Sequence, residues 1–255
     1  MSAIAQAFRN SDVRLRLLSG VALLLVWQIA ATLAASPLLP GPGVVARAIF
    51  HLIVHGRLLG DLGASLARVA ASFVLAMAAG SAIGILMGRK PAVDRLFDLW
   101  LILALNIPAL VIILLCYIWI GLGEAAAVIA VALNKVPTCA VIVREGARAV
   151  DRELLQVAEV LHLSWWRRMR AVYLPQLYPY FMSATRAGLS LIWKIVLVVE
   201  LIGRSNGVGF QLGIYFQFFD ITNILAYTAS FVAVVMAIEA LAIRPLERSL
   251  TRWRA

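Results

Sequence analysis

Asn106, Asn134, Lys135, Lys194 and Glu200 all fall inside long apolar runs of this chain. Ionisable groups are expensive in hydrocarbon, so such residues face protein or water and mark ion pairs or ion pathways. Both readings fit. In the first, Lys194 or Lys135 pairs with Glu200 across helices; Lys194 and Glu200 are six residues apart, about 120° around a helix, and do not meet within one. In the second, Lys135 or Lys194 lines a translocation path and favours an anion. Asn106 and Asn134 stand near Pro108 and Pro137, which interrupt helices, and suit the same path. Arg186 lies near a span end, where its side chain can snorkel to the interface.

Other chemistries find less support. His51 and His55 have the i, i+4 spacing of two metal ligands, but no third ligand is evident, and no metal is expected. Cys116 and Cys139 lie in apolar runs outside any CxxC pattern and read as buried thiols. No GxxxxGK[ST] phosphate loop is present, so this chain is not expected to bind ATP or to be an enzyme.

The elements that position these groups are membrane spans. Of the 255 residues, 63% are hydrophobic and 14% charged, with mean hydropathy +0.92. A soluble domain carries about 45–50% apolar and about 25% charged residues. Apolar runs of roughly 20 residues cross a bilayer as helices. Six such spans are predicted, at about 17–35, 66–88, 99–120, 125–143, 181–202 and 224–243. The third is interrupted at Asn106 and Pro108, the fourth at Asn134, Lys135 and Pro137. The run after Arg14 and Arg16 is long for a signal peptide and reads as a first span. The whole chain, 1–255, is one transmembrane domain without repeats of 20–50 residues.

Sixteen of the 23 Lys and Arg residues lie before the first span, after the second, after the fourth and after the sixth. By the positive-inside rule both termini are cytoplasmic. The formal charge of +10 therefore reports topology rather than nucleic-acid binding. On the opposite side, 44–59 reads as an amphipathic surface piece and 204–223 as a loop mixing glycine turns with aromatics. That loop either meets a docked partner or closes an outer gate, or else leads into an interfacial aromatic belt. The basic stretch 244–255 reads as an inner-surface anchor. Gly80, Gly84 and Gly88 form a small-residue stripe that packs within the subunit or forms a dimer seam.

The stretch 151–180 is too polar to enter the membrane. Asp151 reads as an N-cap, with Glu153 in the first helical turn. Leu154, Ala158, Leu161 and Trp165 form an apolar stripe, and Arg152, Gln156 and Glu159 a polar one. Leu163 and Ser164 offer a break, with Ser164 as cap of a second short helix. Pro175 and Pro179 are expected to stop that helix from running smoothly into the fifth span. The unit is either an interfacial helix on anionic lipid or a docking element for a cytoplasmic partner.

The same stretch resembles the cytoplasmic loop of ABC importer permeases, with its pattern EAA, three residues, Gly, nine residues, Ile-x-Leu-Pro. The register is Gln156-Val157-Ala158, then His162, then Val172-Tyr173-Leu174-Pro175, and every spacing matches. Gln156, Val157 and His162 depart from the pattern, and His adopts φ > 0 more readily than most residues. Three further segments, "LLPGPGVVARAI", "NIPALVIILLCYIWIGLGEA" and "LVVELIGRSNGVGF", are similar to segments of the nitrate, sulfonate, taurine and bicarbonate branch.

The resemblance implies the type I importer permease (MetI-like) fold, all-α with six transmembrane helices, in a bacterial inner membrane. It implies a coupling helix in the loop 151–175, with Arg152, Gln156, Ala158, Glu159, His162, Leu163, Ser164 and Pro175 facing or shaping the contact. The implied partners are two ATP-binding subunits, which hold ATP and Mg, a second copy of the permease, and a periplasmic or lipid-anchored solute-binding protein. The cargo is a small solute, an anion by the lysine reading. The rival class is a secondary transporter driven by an ion gradient, with Glu200 and Glu239 as ion sites.

Overall fold

The computed structural model describes residues 2–243 and 245. Apart from Pro245, the stretch 244–255 read as an anchor lies outside the described residues, as do the side chains of Arg9 and Arg16. The described residues are helical apart from short connections. They fall into two compact units, residues up to 59 with 211–231, and 60–210 with residues from 232 on.

In the first unit, α1 (Ser2–Ala34) leads to α2 (Pro42–Val54). Pro42 stands in the first turn of α2, where a missing N–H leaves nothing unpaired. The Trp27 indole donates to the Pro40 carbonyl at 3.0 Å and fixes the connection. The predicted surface piece 44–59 is this α2; it ends at Val54, and the His51 and His55 rings stack at 5.0 Å.

The second unit holds most of α3 (Leu58–Arg89), then α4 (Pro91–Asn106), α5 (Ala109–Ile120), α6 (Glu124–Arg148), α7 (Arg152–Val160), α8 (Trp165–Arg168) and α9 (Leu174–Gly203). The glycine stripe packs within the subunit. A Cβ on Gly80 would stand 2.6 Å from the Cys139 Cβ, one on Gly84 2.6 Å from the Ala140 carbonyl, and one on Gly88 2.5 Å from the Ala147 Cβ. Only glycine allows α3 this close to α6. On its other side α6 packs along α9, and Gly146 gives way to the Tyr180 ring.

Three predicted features differ. The third span is not one rod: α4 and α5 meet at 96°. Pro108 holds Ile107 extended (φ −72°, ψ 124°), which ends α4. The fourth span is not interrupted, since α6 runs through Asn134, Lys135 and Pro137. Burial of Ala130, Val131, Ala140 and Val143 in the core outweighs the local cost of proline. Nor do Pro175 and Pro179 separate the loop from the fifth span. A π-helical turn, Met169–Tyr173, joins α8 to α9, with the Leu174 N–H bonded to the Met169 carbonyl. Pro175 then falls in the first turn of α9, where it is tolerated, and the Ser183 hydroxyl caps the Pro179 carbonyl at 2.9 Å.

The predicted loop 204–223 also contains a helix, α10 (Val208–Gln217), followed by α11 (Ile221–Ile238) and a π-helical turn, Glu239–Ile243. Among the described residues, three helices are long and apolar enough to cross a bilayer: α3, α6 and the run Ile221–Leu241. The bent pair α4–α5 makes a fourth if it is one span.

Candidate functional site

Two regions at opposite ends of α6 concentrate the polar side chains of the second unit. The first is built on α7. Asp151 caps it as predicted, its carboxylate accepting from the Glu153 and Leu154 N–H groups at 2.8 and 3.4 Å. At the other end the His162 N–H reaches the Glu159 carbonyl (2.9 Å) and the Leu163 N–H the Ala158 carbonyl (3.0 Å). This crossed pair is a Schellman closure, which needs a left-handed residue in its bend. His162 supplies it at φ +50°, in the slot where the EAA pattern has glycine. Ser164 starts α8, but its backbone carbonyl, not its hydroxyl, takes the Arg168 N–H.

The joint is fastened to α9 by Gln176. Its side chain accepts from the Asp151 N–H at 2.8 Å and donates to the Val172 carbonyl at 3.1 Å. Below lies a small core of Ala147, Val150, Tyr173 and Leu177, closed by Leu155 and Met169. The predicted apolar stripe is therefore split. Ala158 is buried, but Leu154, Leu161 and Trp165 are exposed, and Leu155 is the residue that points inward. Leu154, Val157, Leu161, Leu163, Val172 and Pro175 line an apolar groove of about 310 Å³. Arg152, Gln156 and Glu159 are exposed and line a different, polar basin of about 600 Å³ beside α3 and α4.

Arg144 and Arg148 brace this end. Arg144 bonds Asp98 (2.5 Å) and Asp94 (3.3 Å), and Arg148 bonds Glu145 (2.9 Å) and Asp94. The start of α4 is thereby clasped to the end of α6. Tyr173 lies under the Arg89 guanidinium, 5.3 Å from ring centroid to charge. Burial pushes its phenol up, against the pull of Arg89, and its buried hydroxyl has no partner among the described residues.

The second region centres on Arg68. Its guanidinium bonds Glu200 Oε1 (2.7 Å), both Glu124 oxygens (2.7 and 2.8 Å), the Asn206 carbonyl (3.0 Å) and the Asn206 side chain. Glu200, 0% exposed, also accepts from the Ser65 hydroxyl and the Gly209 N–H, each at 2.8 Å. The Gly207 and Val208 N–H groups go to Asp61 and Ser65. The first amides of α10 are thus satisfied by side chains from α3 and α9, which is why a glycine-rich segment becomes a helix there. Gly207 is at φ +106°, and a Cβ on it would stand 2.5 Å from the Glu200 carboxyl carbon. Arg204 closes the cluster on Glu124 (2.6 Å) and the Leu122 carbonyl (2.5 Å).

Among the described residues, no hydrogen bond or ion pair joins the polar residues read as a path to one another. Glu200 is paired with Arg68, not with Lys135 or Lys194. Lys135 is buried, Asn134 half-buried, Lys194 exposed, and Asn106 exposed with its amide on the Ile102 carbonyl at 2.8 Å. Arg68 lies at the start of the second predicted span, 66–88, where a basic residue reads as one more span-end charge. The signal was present: Asp61, Ser65, Arg68 and Ser72 recur at steps of four, three and four, one helical stripe in an apolar helix, and all are buried.

Comparison with known proteins places these features in context. The model of a family described as "Binding-protein-dependent transport system inner membrane component" matches residues 80–244. A candidate aliphatic sulfonates transport permease, SsuC of Bacillus subtilis (strain 168), is 31% identical over 98% of this chain and 93% of its own. The taurine transport system permease TauC of Escherichia coli (strain K12) is 30% identical over 91% of this chain and 86% of its own. The riboflavin transport system permease RibX of Chloroflexus aurantiacus is 26% identical over 91% and 87%. Among solved structures, a chain of an amino acid ABC transporter with histidines superposes with TM-score 0.60 at 21% identity, covering 75% of this chain and 93% of that one.

Proposed function

The chain belongs to the family of binding-protein-dependent transport system inner membrane components, and from that premise we propose that it is the membrane-spanning subunit of an ATP-driven importer for a small sulfonate-type anion. It is an ABC transporter permease of the sulfonate and taurine type, an all-helical, MetI-like, multi-pass membrane protein. In this reading six spans are formed by α1, α3, the bent pair α4–α5, α6, α9 and α11, with both termini and the α7–α8 joint in the cytoplasm. Two copies assemble with two ATP-binding subunits, and a solute-binding protein delivers cargo to the other face.

The observation that carries this reading is the α7 joint. It is capped by Asp151, closed by His162 and tied by Gln176, yet it holds Leu161 outward at 65% exposure. A helix that rigid with an apolar outer face is a knob for another protein's groove. Tied to α9 by Gln176 and by α8, which a π-helical turn joins to α9 without a break, it passes a push from the ATP-binding subunit into a span. Gln156, Glu159 and Arg152 form the polar flank of the knob. Lys135 and Lys194, with Asn106 and Asn134, are assigned to the path and favour an anionic cargo.

The test is the complex purified with its ATP-binding subunit and reconstituted in lipid. Leu161→Arg is expected to insert normally but to lose subunit binding and stimulated ATP hydrolysis. Unchanged assembly and coupled transport would remove the docking role and leave a lipid-facing helix.

A further inference from the structure

The 600 Å³ basin beside α7 carries more positive charge than its own carboxylates balance. Six charged side chains line it: Arg89, Arg148, Arg152 and Arg168 against Asp94 and Glu159. Arg148 is taken by Asp94 and Glu145, and Arg168 stands 3.8 Å from Glu159. Arg89 and Arg152 have no ion-pair partner among the described residues, so an excess of two positive charges faces one cavity. At its wall lies Tyr173, 5% exposed, with its buried hydroxyl unpartnered. The two guanidinium groups left without a carboxylate call for an acceptor that is an anion.

We infer that this basin is a binding site for a tetrahedral oxyanion, a phosphate or sulfonate group, held by Arg89, whose guanidinium rests on the Tyr173 ring, and Arg152. Guanidinium groups suit such a ligand because their parallel N–H groups match two of its oxygens. A bound oxyanion would bridge the end of α3 to the start of α7 and lock the joint to the α3–α4 turn. Two sources supply the same chemistry, an anionic lipid headgroup or a free anion in solution, and the experiment separates them. The inference rests on the basin alone and does not require that α7 dock an ATP-binding subunit.

The test uses the full chain, without partner subunits, in nanodiscs of phosphatidylcholine. Inorganic phosphate is titrated at constant ionic strength against chloride, with thermal unfolding as the readout. Saturable stabilisation by phosphate and not by chloride is expected. The phosphate Kd should rise about tenfold or more in Arg89→Gln/Arg152→Gln, each lost charge-assisted bond being worth roughly that factor. Arg47→Gln, on α2, should not raise it. If the double variant does not fold, Arg152→Gln alone gives the reading, since Arg152 is exposed on α7. In nanodiscs containing phosphatidylglycerol, loss of the phosphate response, with lipid retained on the wild-type chain but not on the variant in native mass spectra, identifies the headgroup as occupant. An undiminished response identifies the free anion. Phosphate and phosphatidylglycerol effects that are absent, or equal in wild type and double variant, overturn the proposal.

Discussion

The Arg68 cluster and the α7 joint hold similar sets of charged side chains and use them in opposite ways. Around Arg68 the charges close on one another: one guanidinium serves Glu200, Glu124 and Asn206, and the amides of α10 take what the carboxylates have left. Around α7, Arg152 and Gln156 project into an open basin, and Leu154 and Leu161 face outward. A buried ion pair contributes little net stability but is costly to break, so the first arrangement fixes geometry. The second leaves its interactions unmade until something binds. One end of α6 is closed within the chain, and the other leaves apolar and charged side chains exposed.

The sharpest way to break this comparison is to remove one charge from each end. Arg68→Met strands Glu200 in the core, and a stability loss of about 3–5 kcal/mol is expected, read as a large fall in melting temperature of the purified chain. Glu200→Gln added to it should recover part of that loss, because the amide keeps the Ser65 bond. Arg152→Met, in phosphate-free buffer, should change stability by less than about 0.5 kcal/mol. Similar losses at the two ends would show that the joint is also a closed structural unit.

α3 and α6 both run from one region to the other. Residues 68 and 84 are about 24 Å apart along α3, and Gly84 has no room for a side chain against the Ala140 carbonyl. Gly84→Val is expected to cost about 1–3 kcal/mol through overpacking and to uncouple ATP hydrolysis from transport while subunit binding persists. Full coupling in a stable Gly84→Val chain would mean that the glycine stripe only packs. A smaller effect is expected at His162. His162→Gly relieves a left-handed residue worth about 1 kcal/mol and should keep or tighten docking. His162→Val should weaken docking by several-fold, since a β-branched residue resists φ > 0.

What could be seen in the sequence follows the same division. The joint was legible because its signals are local: an Asp cap, a turn slot at fixed spacing, and a Leu-Pro exit, all within 25 residues of chain. An apolar stripe gives periodicity but not which of its residues turn inward, and Leu155, outside the stripe, packs on the core and Ala158 is buried while Leu154 is exposed. The path of helix through Pro175 was missed because a π-helical turn has no sequence signature. The Arg68 cluster joins residues 61, 124, 200 and 206, and nothing local announces which buried carboxylate an arginine will meet. The helical stripe that Arg68 shares with Asp61 and Ser65 is the one local sign that it belongs to the core.

The smallest expected effect tests whether the exposed polar flank of α7 contributes to docking. Gln156→Glu restores the acidic residue of the EAA pattern, one turn after Arg152 and three residues before Glu159. The new carboxylate gains Arg152 at i−4, worth about 0.3–0.5 kcal/mol, and meets repulsion from Glu159 of similar size. Helix stability should therefore hardly change. Affinity for the ATP-binding subunit should shift by less than about fivefold, and that shift should shrink as salt is raised, because exposed pairs are screened. An effect near a hundredfold that survives high salt would mean that position 156 becomes buried and paired on docking. The polar flank, and not only the apolar knob, would then belong to the part of the molecule completed by its partner.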